Sequence, residues 1–182
     1  RTLVLRLAEP MDGGSARLVL EFLSQYSGHS FGRVALFSSS HGAEGVAIAD
    51  DWESSGYLVA ESADAAWEQE LPGDVTWTLR PEVVDGAVHA FKEGLGSIFL
   101  RRGVLIAEGG LHRIDIGTDD GVRIWIDGDL VHEHRVARTV TRGEDTIDVD
   151  LVAGDHEILV QVVNLGGASG ITFDFARTSR GG

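Results

Sequence analysis

Short runs in which apolar and polar residues alternate one by one constrain this chain more than any other feature. Residues 145–151 read DTIDVDL, which puts Ile147, Val149 and Leu151 on one face and Thr146, Asp148 and Asp150 on the other. Residues 111–118 (LHRIDIGT) put His112, Ile114 and Ile116 on one face, with Arg113 and Asp115 opposite. A two-residue period suits a half-buried strand and cannot form the apolar stripe of a helix. The same reading makes strands of 2–7, 17–23, 33–37, 56–60, 75–79, 97–107, 121–127, 130–133 and 170–176. Residues 158–164 (ILVQVVN) are apolar on both faces and predict a central strand. Between the runs lie turn residues, among them Asp127-Gly128, the pair that a tight hairpin prefers. One short helix is predicted over 62–71, capped by Ser62 and stopped by Pro72-Gly73. The expected fold is therefore all-β, an antiparallel β-sandwich of jelly-roll type with that single helix.

Composition removes several functions. The chain has 29 acidic and 15 basic side chains, a net charge of −14, which disfavours contact with a phosphate backbone and so with nucleic acid. No apolar run approaches the roughly 20 residues of a membrane span. Without cysteine there is no disulfide, no thiolate zinc site, no thiol nucleophile and no c-type haem attachment within the 182 residues. The chain opens on Arg1 rather than Met, so a processed chain or a segment of a longer one is expected.

Residues 118–128 read TDDGVRIWIDG. Further on, 153–156 (AGDH) lead through a strand to Asn164 and the glycine-rich segment 165–170 (LGGASG). Together these resemble the protective-antigen-type β-sandwich module, over roughly residues 96–178. Segments 29–33 (HSFGR), 80–86 (RPEVVDG), 99–102 (FLRR) and 131–138 (VHEHRVAR) are similar to parts of the large planctomycete-type exported proteins that join a c-type cytochrome domain to domains of unknown function. The two resemblances imply a division into 1–88, an N-terminal β segment that ends a preceding jelly roll, and 89–182, the protective-antigen-like module. They also imply export to the periplasm, cell surface or exterior, with any haem elsewhere in the parent protein.

In lectin-type members of the first family, two adjacent Asp residues joined by a cis peptide hold Ca²⁺ and a later Asn completes the site. The resemblance carries these roles to Asp119, Asp120 and Asn164, the only Asn of the chain. Gly166 and Gly167 would then let backbone approach a ligand closely. Carboxylate and amide oxygens suit a hard cation. A second reading stands beside this one, in which Asp119-Asp120-Gly121 is simply a β-turn. Trp125 falls out of phase with Val122, Ile124 and Ile126, so it either packs on the second face of its sheet or offers a platform for a sugar ring. Trp67 and Trp77 read as packing residues.

His132 and His134 share one face of a strand, where two imidazoles suit Zn²⁺ if a third ligand comes from elsewhere. The competing reading is a solvated hairpin edge beside Arg135. Catalytic motifs are missing: Ser169 falls one place late for a G-x-S-x-G elbow, and there is no P-loop, dinucleotide fingerprint or H-E-x-x-H. The expected function is non-catalytic carbohydrate binding within a larger exported protein, with Ca²⁺ as the expected ion and a glycan as partner. The alternative is a structural module that docks other domains or subunits of a parent protein.

Overall fold

A computed structural model describes residues 47–177. The chain divides into two compact units, Arg1–Glu44 and Gly45–Gly182, and the described residues lie in the second. The strands predicted over 2–7, 17–23 and 33–37 lie outside them.

The described chain runs β1 (Ala47–Ala49), β2 (Trp52–Val59), α1 (Ala63–Trp67), β3 (Thr78–Arg80), β4 (His89–Ala90), β5 (Gly96–Ile106), β6 (Gly110–Asp119), β7 (Gly121–Ile126), β8 (Asp129–His134), β9 (Asp145–Leu151), β10 (Gly154–Asn164) and β11 (Gly170–Arg177). Two antiparallel sheets form. One has the order β3-β2-β5-β10-β7-β8, with β1 also paired to β5, and the other has the order β4-β11-β6-β9. Strands β1, β2 and β3, all ahead of residue 89, pair into the same sheet as β5.

Alternation decides which side chains meet between the sheets. Ile98, Leu100, Val104 and Ile106 of β5, Val122, Ile124 and Ile126 of β7, and Ile158, Val160 and Val162 of β10 line one inner face. Ile114 and Ile116 of β6, Val149 and Leu151 of β9, and Ile171 and Phe173 of β11 line the other. Each such side chain withdrawn from water contributes roughly 1.5–3 kcal/mol. His112 keeps its inward place at 1 % exposure by stacking on Phe175, with ring centroids 5.3 Å apart. The hairpin at 127–128 forms as its residues demand, Asp127 at φ 53° and Gly128 at φ 88°.

Two boundaries differ from expectation. The helix stops at Trp67, four residues short of Leu71. Ser62 caps it by accepting a bond from the Ala65 amide (3.1 Å). Past that first turn the carbonyls are taken by other elements: Arg123 bonds the Trp67 oxygen (2.8 Å) and Gln161 the Gln69 oxygen (3.0 Å). A helix reaching Leu71 would need the Trp67 oxygen for the Leu71 amide. The run 75–79 yields only the three-residue β3, displaced to Thr78–Arg80. Trp77, just ahead of β3, is half-buried under the Arg101 guanidinium, which lies 4.2 Å from its ring.

One core position breaks the apolar pattern. Arg102 has the parity of Leu100 and Val104, and its residue is only 6 % exposed. Its guanidinium lies 4.4 Å from the Trp52 ring and 5.0 Å from Phe173, and it forms two parallel 2.9 Å bonds to Asp85. A buried cation survives only when paired in this way. Replacing Asp85 by Ala strands that charge and lowers stability by about 3 kcal/mol. Arg102→Met, which removes the charge as well, costs less than Asp85→Ala. Urea melts of the two variants check the order, and Arg102→Met proving the more damaging refutes it.

Candidate functional site

The turn between β6 and β7 carries Asp119 and Asp120, and the peptide joining them is cis. Register places this turn against the end of β10. Val163 is opposite Gly121, the Asp120 amide donates to the Val163 carbonyl (3.1 Å), and Asn164 is the next residue. Asp119, Asp120, Asn164 and the loop carrying Gly166 and Gly167 thus come together as a neighbourhood.

Their chemical states differ. Asp120 is 7 % exposed, and its carboxylate accepts two backbone amides, Arg138 through Oδ1 and Leu165 through Oδ2, both at 2.8 Å. It therefore ties the 135–144 loop and the 164–167 loop to the β6–β7 turn. Asn164 is fully buried; its Oδ1 accepts from the Gly166 amide (2.9 Å) and its Nδ2 donates to the Gly167 carbonyl (3.1 Å). Asp119 is partly exposed, and among the described residues no donor is bonded to its carboxylate. Burial, then the charges of Asp120 and Glu144, push its pKa above the ordinary carboxylate value. The Arg138 guanidinium pairs with Glu144 (3.2 Å) but forms no bond to the Asp119 carboxylate.

Tyr57 completes the neighbourhood and was not singled out by the sequence. Its hydroxyl donates to the Gly94 carbonyl, and the Gly94 amide donates to Gly167 (2.9 Å). Burial raises the phenol pKa, Asn164 lowers it and the Asp120 charge raises it. A tyrosine inside a β-bulge, where β2 shifts register between Ser54 and Tyr57, leaves no spacing signal.

Trp125 is placed apart from these residues. It is five residues along β7 from Asp120, roughly 16 Å at strand rise. It stands on the outer face of its sheet, tilted against Phe99 with centroids 6.4 Å apart. It is half-buried there.

The other end of the sandwich holds a groove of about 510 Å³ lined by Asp127, Asp129, Val131, Ile147 and His156 among others. There His156 Nδ1 lies 2.6 Å from Asp127 Oδ2, while Asp127 Oδ1 accepts the Glu157 amide (2.8 Å). Burial lowers the His156 pKa, but the Asp127 bond, the Val152 carbonyl and two nearby acids more than offset it, leaving the value above 6.5. For Asp127 burial acts upward, yet the Glu157 amide and His156 bring it below 3.8.

No protein-family model matches the chain, and no curated protein matches it. Solved structures do. An anti-sigma factor domain-containing protein is 18 % identical with a TM-score of 0.48, over 72 % of this chain and 44 % of that one. The PA14 domain of the MpAFP antifreeze protein is 17 % identical with a TM-score of 0.40, over 75 % and 69 %. A PA14 sugar-binding domain from an RTX adhesin is 16 % identical with a TM-score of 0.37, over 75 % and 72 %. The chain thus spans less than half the length of the first of these.

Two outcomes follow. Asp120→Ala leaves two amides without their acceptor and costs about 1–3 kcal/mol, whereas Asp119→Asn, which breaks no bond, stays within about 0.5 kcal/mol of wild type; denaturant melts compare them. The His156–Asp127 pair stabilises fully only where both partners are charged. The His156 part is complete below 6.5 and is lost as pH rises through its raised folded value. The Asp127 part is complete above 3.8 and is lost as pH falls through its lowered one. The melting-temperature deficit of Asp127→Asn is therefore widest near about pH 5 and narrows by about pH 9; a deficit constant across that range contradicts it.

Proposed function

We propose that the unit Gly45–Gly182 is a non-catalytic carbohydrate-binding module of an exported protein, with its ligand site at the β6–β7 turn and the 164–167 loop. The observation that carries this reading is the Asp119 carboxylate, which has no donor bonded to it among the described residues and is pressed by two further acids. A cation relieves that repulsion.

The donors fit Ca²⁺. They are all oxygens, and Ca²⁺ takes roughly six to eight of them from carboxylates, amides, backbone and water. Asp119 offers its whole carboxylate. Asp120 keeps lone pairs beyond the two used by the amides of Arg138 and Leu165. Asn164 Oδ1 keeps one beyond that used by Gly166. When bound, the ion supplies a positive centre on which vicinal hydroxyls replace water. The protein residues hold the loops in place around it: Asp120 by its two amide bonds, and Asn164 by closing the turn at Gly166 and Gly167. Both glycines have positive φ, 132° and 81°, and no atom lies within 4 Å of where a side chain would start, so a ligand meets bare backbone there. The sequence pattern TDDG…WIDG, followed by Asn164, points to the same residues.

Binding only to the native state must raise stability, by about 2.7 kcal/mol at a Ca²⁺ concentration of 100 times Kd. Wild type is expected to gain melting temperature with Ca²⁺ and to be retained on a polysaccharide array in Ca²⁺ but not in chelator. Asp119→Asn folds normally and loses both effects. Retention that ignores chelator removes the ion from the mechanism, and a folded protein that binds no glycan under any condition ends the carbohydrate reading.

A further inference from the structure

The two sheets of the sandwich end in β8 on one side and β9 on the other. Inward positions on a sandwich edge are ordinarily apolar. Here three are not. His132 and His134 pair in register with Ile124 and Val122, whose side chains are buried between the sheets, so the two imidazoles stand on that same inner face. Asp145 is opposite Ile116 and shares the parity of Ile147, Val149 and Leu151, so it enters from the other sheet.

The three meet. His134 Nδ1 is 2.8 Å from Asp145 Oδ1, and His132 Nε2 is 3.7 Å from Asp145 Oδ2. One ligand atom from each residue lies within 4.8 Å of the others, the only such group of three or more among the described residues. The ring planes are nearly perpendicular, at 82°. His132 Nε2 is buried and has no hydrogen-bond partner. An orphaned buried polar atom costs about 1–3 kcal/mol, so its direction calls for a reason.

We propose that His132, His134 and Asp145 form a Zn²⁺ site that clips β8 to β9. Two imidazole nitrogens and a carboxylate oxygen are the donor set of a four-coordinate zinc ion, and they are the wrong set for Ca²⁺, which wants oxygen alone. The ion gives His132 Nε2 its missing partner. Donors set tetrahedrally roughly 2 Å from an ion stand roughly 3.3 Å from one another, between the 2.8 Å of the His134–Asp145 contact and the 3.7 Å of the His132–Asp145 contact. Arg138 steadies the carboxylate: its guanidinium bonds Asp145 Oδ2 (2.6 Å) and the Thr118 carbonyl and hydroxyl (3.1 and 2.9 Å). Orienting contacts of this kind are what hold metal ligands in place. Water takes the fourth position, on the side where the His134 side chain is 45 % exposed.

The site is separate from the Asp119–Asp120 turn in its ligands and in its metal, and the test separates them. The full chain is stripped with chelator, then titrated with Zn²⁺ by calorimetry and with Co²⁺ by visible absorption. One ion per chain is expected, with the intense bands of tetrahedral Co²⁺ and a rise in melting temperature. Losing a direct ligand costs more than the roughly 10–100-fold that outer contacts cost, so His132→Gln and His134→Gln each weaken Zn²⁺ by more than about 100-fold. Asp119→Asn leaves Zn²⁺ binding unchanged. The Co²⁺ spectrum of wild type needs no variant to fold, and its failure to show tetrahedral bands overturns the proposal. So does a Zn²⁺ isotherm that persists unaltered in the His132→Gln/His134→Gln double variant.

Discussion

A strand covered on both faces must be apolar along its length or have every polar group paired, and β10 meets that demand from Ile158 to Asn164. Its inner side chains join the core, while on the outer face Gln161 is fully buried and bonded to the Gln69 carbonyl and close to Ser97 and Arg123. Both of its edges are also occupied. It runs eleven residues in unbroken register with β5, and six with β7. A single-residue slip would turn Gln161 and Asn164 into the wrong layers, so the register is strongly specified. From that register follows the rest: β10 delivers Asn164 beside the β6–β7 turn at one end, and His156 beside the Asp127 hairpin at the other.

The surplus of acid resolves into distinct physical situations once neighbours are known. Asp148 lies on the outer face paired to Arg113, an exposed contact of little energetic weight. Asp85 neutralises a guanidinium inside the core. Asp120 replaces backbone partners for two loops, and Asp119 beside it has none. Arg138 links much of this chemistry. Its amide serves Asp120, and its guanidinium reaches Glu144, Asp145 and Thr118, so the loop between β8 and β9 is anchored to both acid clusters. The two candidate sites are neighbours through that one residue.

Alternation made the inward sets of β6, β9 and β11 readable, because a strand's parity is a property of its own sequence. It also placed Asp145 inward, since Asp145 precedes Ile147 by two. What alternation could not show was the strand facing it. His132 and His134 are separated from Asp145 by a loop with no periodic signal, and only sheet packing brings the imidazoles to the carboxylate. The same holds for Tyr57, which reaches Gly94 and Asn164 across a bulge. The helix was readable at its start, where Ser62 acts locally, but past Trp67 the chain is held by Arg123 and Gln161, residues that lie far along the chain. The run 75–79 alternates well enough for a strand, yet only its last residues find an edge of β2 to pair with.

Local chemistry by itself determined the strand character of the chain, the hairpin at 127–128, the cap at Ser62 and the juxtaposition of Asp119 with Asp120. Each depends on interactions within a few residues. Tertiary structure decided which of those acids kept a free carboxylate, which charge could be buried at Arg102, and which third ligand stands with His132 and His134. Such outcomes turn on distance and desolvation between segments remote in sequence, and these exist only after the two sheets have packed.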